Sequence, residues 1–255
     1  MTPIVLHHGL FGYGHLRVGP LDVNYFRGID RSLADAGHDV LVTHVHPTAS
    51  IERRAAQLKR SLLGQLHERG LAKRKVVILA HSLGGLDARY MISRLGMDDR
   101  VAALVTIASP HGGSSYAEWC LRNLTRIGAM RVFTHIGLDV TAVRDLTDDA
   151  SRRFAEQTPD APGIRYYSVS AARPWTGINP LLLPSYRIIY KAEGANDGMV
   201  SVRSATYGTH LGTWEADHWH VINRRLTLEW KREDIRPRYL AILDALRHDR
   251  IMLAP

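Results

Sequence analysis

The stretch Val76-Val77-Ile78-Leu79-Ala80-His81-Ser82-Leu83-Gly84-Gly85 constrains this chain more than any other. A continuous apolar, largely β-branched run leads into a serine with Ala80 and Gly84 two positions to either side, and helix-forming residues follow. A strand that turns this sharply into a helix strains the serine backbone and lifts the Oγ out of the sheet. Strand and helix then pass so close that only small residues fit at the flanking positions. The segment reads as a G-x-S-x-G nucleophile elbow in which Ala80 replaces the first glycine.

The elbow requires a sheet around it, and the first half of the chain supplies one. Ile4 to His8, Asp39 to Val45, Lys75 to Ala80 and Val101 to Ala108 read as strands. Tyr25 to Ala36, Ser50 to Arg69 and Leu83 to Leu95 read as the helices between them, with Ile51, Ala55, Leu58, Leu62 and Leu66 at helical spacing. Gly37 and Gly70 stand where helices commonly end. Apolar strands alternating with helices predict an α/β fold with a mostly parallel central sheet flanked by helices. From about Gly112 to Pro162 no strand is legible. Glu118 to Phe133 is amphipathic, and Thr147 caps a helix through Glu156. Residues 112–162 are therefore a candidate helical lid or cap inserted within a single domain spanning 1–255, or a helix pair packed permanently on the core. Ile164 to Ala171 and Arg187 to Tyr190 read as further strands, and Ile235 to Arg250 as the last helix. The loop from Pro174 to Pro184, rich in Leu and Pro, is either apolar surface of a cleft or a packed connection.

Composition narrows the function classes. The 255 residues are 45% hydrophobic and 23% charged, as expected of a soluble globular domain. No apolar run approaches the roughly 18 residues of a membrane span. Met1-Thr2-Pro3 leads straight into the first strand, with no signal-type segment, which points to a cytoplasmic protein unless a leader has been removed. The single cysteine, Cys120, excludes an intrachain disulfide and reads as a packed residue. The net charge of +8 permits peripheral contact with lipid surfaces, but the arginines lie beside acids, as in Lys231-Arg232-Glu233-Asp234, and no nucleic-acid motif is present.

A serine hydroxyl needs a base to take its proton, an acid to orient the base, and donors for the oxyanion that forms. Serine, then acid, then histidine is the chain order that elbows on α/β sheets use. Asn196-Asp197-Gly198 is a turn signal after the Arg187–Tyr190 segment, and Asp217-His218 lies in the next loop. Ser82, Asp197 and His218 thus follow in order, each expected where a strand meets a loop. Asp87 points away from the elbow, and Asp217 is too close in sequence to face His218. His220 rivals His218 as base, while His81 and His111 are expected to line the cleft or pack. One oxyanion donor is expected at the N–H of Leu83, after the nucleophile. The other is expected at Leu10, in the loop His8-Gly9-Leu10-Phe11-Gly12.

Four blocks together carry a resemblance: Pro3 to Gly12, Ala80 to Gly85, Asn196 to Val200 and Asp217 to Asn223. They resemble the triacylglycerol lipases of the α/β-hydrolase superfamily, above all the bacterial true-lipase group and its eukaryotic-like intracellular relatives. The resemblance runs from the first strand to about Asn223. It implies Ser82 as nucleophile, Asp197 as acid, His218 as base, Leu10 and Leu83 as oxyanion donors, and a helical lid in the middle region. The expected activity is hydrolysis of carboxylic esters, of acylglycerols above all, through an acyl-enzyme and without a cofactor. Where the bacterial lipases carry a calcium-binding Asp two residues after the histidine, this chain has His220, a poor ligand for a hard cation. Structural calcium is therefore not expected, and the pairs His218/His220 and His44/His46 are weak signals for any other metal. An acyltransferase or thioesterase with the same triad, and a non-catalytic binder of hydrophobic ligands, are the alternatives.

Overall fold

A computed structural model of the protein describes residues 2–12, 15–18, 21–126, 141–224 and 233–252. Six parallel strands form the central sheet: β1 (Ile4–His7), β4 (Val40–Val42), β5 (Val76–His81), β6 (Val101–Ile107), β7 (Arg165–Ala171) and β8 (Thr209–Trp214). Their order across the sheet is β4-β1-β5-β6-β7-β8, which places the elbow strand β5 near the middle. A two-stranded antiparallel ribbon, β2 (His15–Val18) with β3 (Leu21–Asn24), was not legible in the sequence.

Strand alternation divides the core into two layers. Ile4 and Leu6 of β1, with Val77 and Leu79 of β5, face Phe26, Ile29 and Leu33 and the last helix. Ile29 and Leu33 belong to α1 (Ile29–Asp35), and the last helix, α8 (Arg236–His248), adds Tyr239, Ile242 and Leu246. Val5, Ile78 and Ala80 face the opposite way, onto Leu58, Leu62 and Leu66 of α2 (Ile51–Glu68) and Ala88, Met91 and Ile92 of α3 (Leu83–Arg94). Sealing a strand on both faces contributes roughly 1.5–3 kcal/mol per large aliphatic side chain, so the strand that presents Ser82 has a rigid base.

The span 112–162 contains α4 (Ser115–Arg126), α5 (Thr141–Arg144) and α6 (Asp148–Gln157). Thr147 caps α6 as expected, its hydroxyl accepting the Ala150 N–H at 3.3 Å. Residues 127–140, which include the end of the expected Glu118–Phe133 helix, lie outside the described residues.

One expected element is corrected. Arg187 to Tyr190 is not a strand but part of α7 (Leu183–Glu193), with Pro184 in its first turn and Tyr186 and Ile189 buried three residues apart. A short apolar run carries no periodicity of its own, and helical burial decided it. The strand that completes the sheet is instead β8, which is followed by a short helix-free loop to His218. Asp197 therefore follows a helix in the chain. It still sits at the carboxyl end of a strand in space, because the Arg173 N–H just beyond β7 donates to the Asn196 carbonyl at 3.3 Å.

Candidate active site

Ser82 follows β5 and begins α3, with φ 56° and ψ −132°, a conformation unfavourable for a residue with a Cβ. That strain is what the elbow predicts. The hydroxyl meets His218 Nε2 at 3.0 Å, and His218 Nδ1 meets Asp197 Oδ2 at 2.7 Å. A carboxylate only accepts, so Nδ1–H donates to Asp197 and Nε2 is left to accept the serine proton. Asp197 is fully buried, and its other oxygen accepts the Met199 and Val200 N–H groups at 2.9 and 2.8 Å. The Asp197 carbonyl also accepts the His218 N–H at 2.9 Å, so acid and base are tied by backbone as well as side chain. The three residues ordered in the sequence converge on one point above the sheet.

The loop after β1 lies directly against the nucleophile. A Cβ on Gly9 would stand 2.7 Å from the Ser82 Cβ, and one on Gly84 would stand 2.7 Å from the His8 carbonyl oxygen. Both glycines are thus required by close approach. The Gly9 N–H donates to the Tyr25 hydroxyl at 3.2 Å, and the Phe11 N–H to the Pro47 carbonyl at 2.9 Å. Between these two anchored groups lies the Leu10 N–H. The Leu83 N–H is in the first turn of α3, where no intrahelical acceptor exists. The side chains of Leu10 and Leu83 pack in one cluster with Ile51, Leu86 and Ala142.

Of the rival groups, His81 stands beside the site without competing for the serine. Its ring packs 4.6 Å from that of His218, and its Nδ1 meets the Tyr25 hydroxyl at 2.7 Å. Burial, reinforced by His218, holds the His81 imidazole well below its usual pKa, so it stays neutral in the site. Burial likewise pushes the Tyr25 phenol up to about 12. His220 turns away from Ser82 and donates from Nε2 to the Glu233 carbonyl at 2.8 Å. His111 is packed rather than lining the cleft, stacked on Tyr207 and meeting Thr106 Oγ1 at 3.0 Å. Cys120, on α4, is half-buried, and burial pushes its thiol up, as suits a packed residue.

At the position where calcium was considered, Asp217 and His220 have hydrogen-bond partners within the protein. Asp217 is buried, with Oδ1 accepting the Trp219 and His220 N–H groups at 3.0 and 2.8 Å and Oδ2 accepting that of Asn179 at 3.2 Å. Backbone donors thus occupy the carboxylate, and the neighbouring imidazole presents a proton to Glu233. Among the described residues no group of three or more His, Cys, Asp or Glu could hold a metal ion.

The loop from Pro174 to Pro184 is in part a packed connection. Ile178 and Leu182 join Tyr186 in a cluster with Met199, beside the acid, and Trp219, beside the base. Glu193, at the end of α7, accepts the Ser115 N–H at the start of α4 at 2.8 Å and the Ser201 hydroxyl at 2.5 Å.

Residues 2–252 match a family described as the alpha/beta hydrolase fold. The chain is similar to "Triacylglycerol lipase 2" of Saccharomyces cerevisiae, with 30% identity over 83% of this chain and 67% of that protein. It is similar to a "Triacylglycerol lipase" of Vibrio cholerae, with 31% identity over 86% of this chain and 77% of the other. The crystal structure of the Bacillus licheniformis lipase BlEst2 in mature form superimposes with a TM-score of 0.73 and 22% identity, covering 96% of this chain and 91% of that one.

Proposed function

The chain belongs to the alpha/beta hydrolase fold family, and from that premise we propose that it is a serine ester hydrolase that cleaves acylglycerols. The observation that carries the reading is the continuous contact from Asp197 through His218 to Ser82, at 2.7 and 3.0 Å. The names of the yeast and Vibrio relatives support the substrate class.

In this reading Ser82 Oγ attacks the ester carbonyl carbon while His218 Nε2 takes the hydroxyl proton. The carbonyl oxygen becomes an oxyanion that accepts the Leu10 and Leu83 N–H groups. Its collapse breaks the bond to the alkoxy oxygen, which leaves as the alcohol with the proton from His218. Water then attacks the acyl carbon and gives a proton to His218; collapse breaks the bond to Ser82 Oγ, which takes that proton back from His218 as the carboxylic acid leaves. Asp197 holds the Nδ1–H tautomer and stabilises the imidazolium formed in both halves. No cofactor takes part in any step.

Contact with a lipid surface belongs to the same reading. Phe11 on the candidate oxyanion loop is 58% exposed, Leu181 67% and Trp175 61%, an apolar display that favours insertion at an oil–water boundary. Among the described residues no helix is long and apolar enough to cross a membrane.

The test is an activity profile over p-nitrophenyl and glyceryl esters from short to long acyl chains, with and without emulsified substrate. Hydrolysis of glyceryl esters together with labelling of Ser82 by a serine-directed phosphonate is expected. Absence of both in folded protein overturns the reading.

A further inference from the structure

A fully buried charged cluster beneath the candidate oxyanion loop takes no part in the triad chemistry. Arg54 of α2 and Asp87 of α3 are both without exposure. Arg54 Nε donates to Asp87 Oδ2 at 2.8 Å. Nη2 lies 2.8 Å from the same oxygen, and the two terminal nitrogens also reach backbone carbonyls: Nη1 to His46 at 2.7 Å, and Nη2 to His8 at 2.8 Å and Gly9 at 3.3 Å. His7, held neutral by burial, donates from Nε2 to Asp87 Oδ2 at 3.0 Å and meets Thr43 Oγ1 at 2.8 Å through Nδ1. Such a buried pair is weak support for stability, since desolvation of the ions consumes much of their attraction. What it does achieve is to aim a rigid three-pronged donor at one loop.

The peptide that receives it carries the candidate oxyanion donor. In a trans peptide the C=O and the following N–H point in opposite directions. The Gly9 carbonyl accepts Arg54 Nη2 and also His8 Nδ1, at 3.0 Å. The latter proton is fixed on Nδ1 because His8 Nε2 accepts the Val45 N–H at 3.3 Å. The Leu10 N–H of the same peptide is therefore turned away from Arg54, in a loop whose Gly9 lies against Ser82. Asp87 stands five residues after the nucleophile on the same helix. It thus ties the orientation of the oxyanion peptide to the element that carries the serine.

We propose that Asp87 and Arg54 are a positioning pair that holds the Gly9–Leu10 peptide with its N–H aimed at the developing oxyanion. The proposal rests on Leu10 as oxyanion donor in the reading above. It assigns a role in transition-state binding to two residues that touch neither substrate nor triad.

The test compares wild type, Asp87→Asn, Arg54→Lys and a chain whose Gly9–Leu10 amide is replaced by an ester through an α-hydroxy acid at position 10, which deletes only the N–H. Each is measured for kcat, KM, pH profile and inhibition by a trifluoromethyl ketone, whose adduct with serine bears the oxyanion. Deleting the donor is expected to lower kcat on the order of 10²–10³-fold. Asp87→Asn and Arg54→Lys are expected to lower it by a smaller factor, roughly 10–100-fold. In both, KM stays within about threefold, ketone affinity falls in step with kcat/KM, and the acidic limb of the pH profile stays in place because the triad is untouched. Adding Asp87→Asn to the ester chain is expected to cost little more. Unchanged ketone affinity in the ester chain overturns the Leu10 assignment. Loss in the ester chain with unchanged kcat and ketone affinity in the side-chain variants, whatever their melting temperatures, overturns the positioning pair. If Asp87→Asn does not fold, Arg54→Lys, which keeps a positive charge opposite Asp87, decides by the same readouts.

Discussion

His218 Nε2 lies 3.0 Å from Ser82 Oγ although 136 residues separate them in the chain. That contact requires the loop after β8 to reach back over the centre of the sheet, and in the proposed mechanism the serine proton leaves through it. Ser82→Ala is expected to lower kcat for ester hydrolysis by roughly 10⁶-fold with the fold retained. Stopped assays on the purified variant, with circular dichroism beside them, check both halves.

Asp197→Asn keeps the shape of the acid and removes its charge. The amide can also donate to Nδ1, which stabilises the wrong tautomer of His218. A loss of about 10⁴-fold in kcat is expected, with a much smaller change in KM. A variant retaining a tenth or more of wild-type kcat contradicts the role given to Asp197.

Two glycines should respond in opposite ways to alanine. At Gly9 the added Cβ meets the Ser82 Cβ at 2.7 Å, so the loop must move, and kcat is expected to fall about 10²-fold. At Gly64, in the interior of α2, nothing lies within 4 Å of the added carbon. Gly64→Ala is expected to raise stability by roughly 1 kcal/mol and leave activity alone. Urea unfolding and steady-state kinetics on both variants test the pair.

Burial lowers the pKa of His7, His8, His81 and His111 in the folded protein. The unfolded chain protonates these groups near pH 6.5 while the native state resists, so the unfolded state binds more protons below that point. The stability they contribute is present above about pH 6.5 and is lost as pH falls below it, by up to roughly 1.4 kcal/mol per pH unit for each group. Unfolding free energies measured from pH 8 to pH 5 should slope downward below pH 6.5. A flat line would mean these histidines are protonated in the fold.

Chelation should have no effect. The Asp217 carboxylate accepts the Trp219, His220 and Asn179 N–H groups, and these bonds brace the His218 loop. Equal activity and equal melting temperature in EDTA and in millimolar calcium are expected, and a calcium-dependent rise in either would contradict this account.

The elbow was legible because its chemistry is local: a buried strand, small neighbours and a helix onset all lie within ten residues. Asp197 was legible as a turn acid, although its supporting strand was misplaced. Tertiary burial makes Leu183 to Glu193 a helix, and the short run Ile188-Ile189-Tyr190 cannot announce that. β8 was missed for the opposite reason. It is an edge strand, mostly open to solvent, and contains Gly212 at φ 123°, so it lacks the apolar run that marks its neighbours. Arg54 reads as a solvated helix charge and Asp87 as a structural acid of either surface or core, because only the assembled fold shows which charges leave the water. Tyr25, whose hydroxyl joins the Gly9 N–H to His81, carried no motif at all.

Glu193 fastens the first turn of α4 to the neighbourhood of the acid, through Ser115 on one side and Ser201 on the other. Whatever position the rest of the insertion takes, its first turn and the turn that follows Asp197 hang from the same carboxylate, and a load on one is felt by the other.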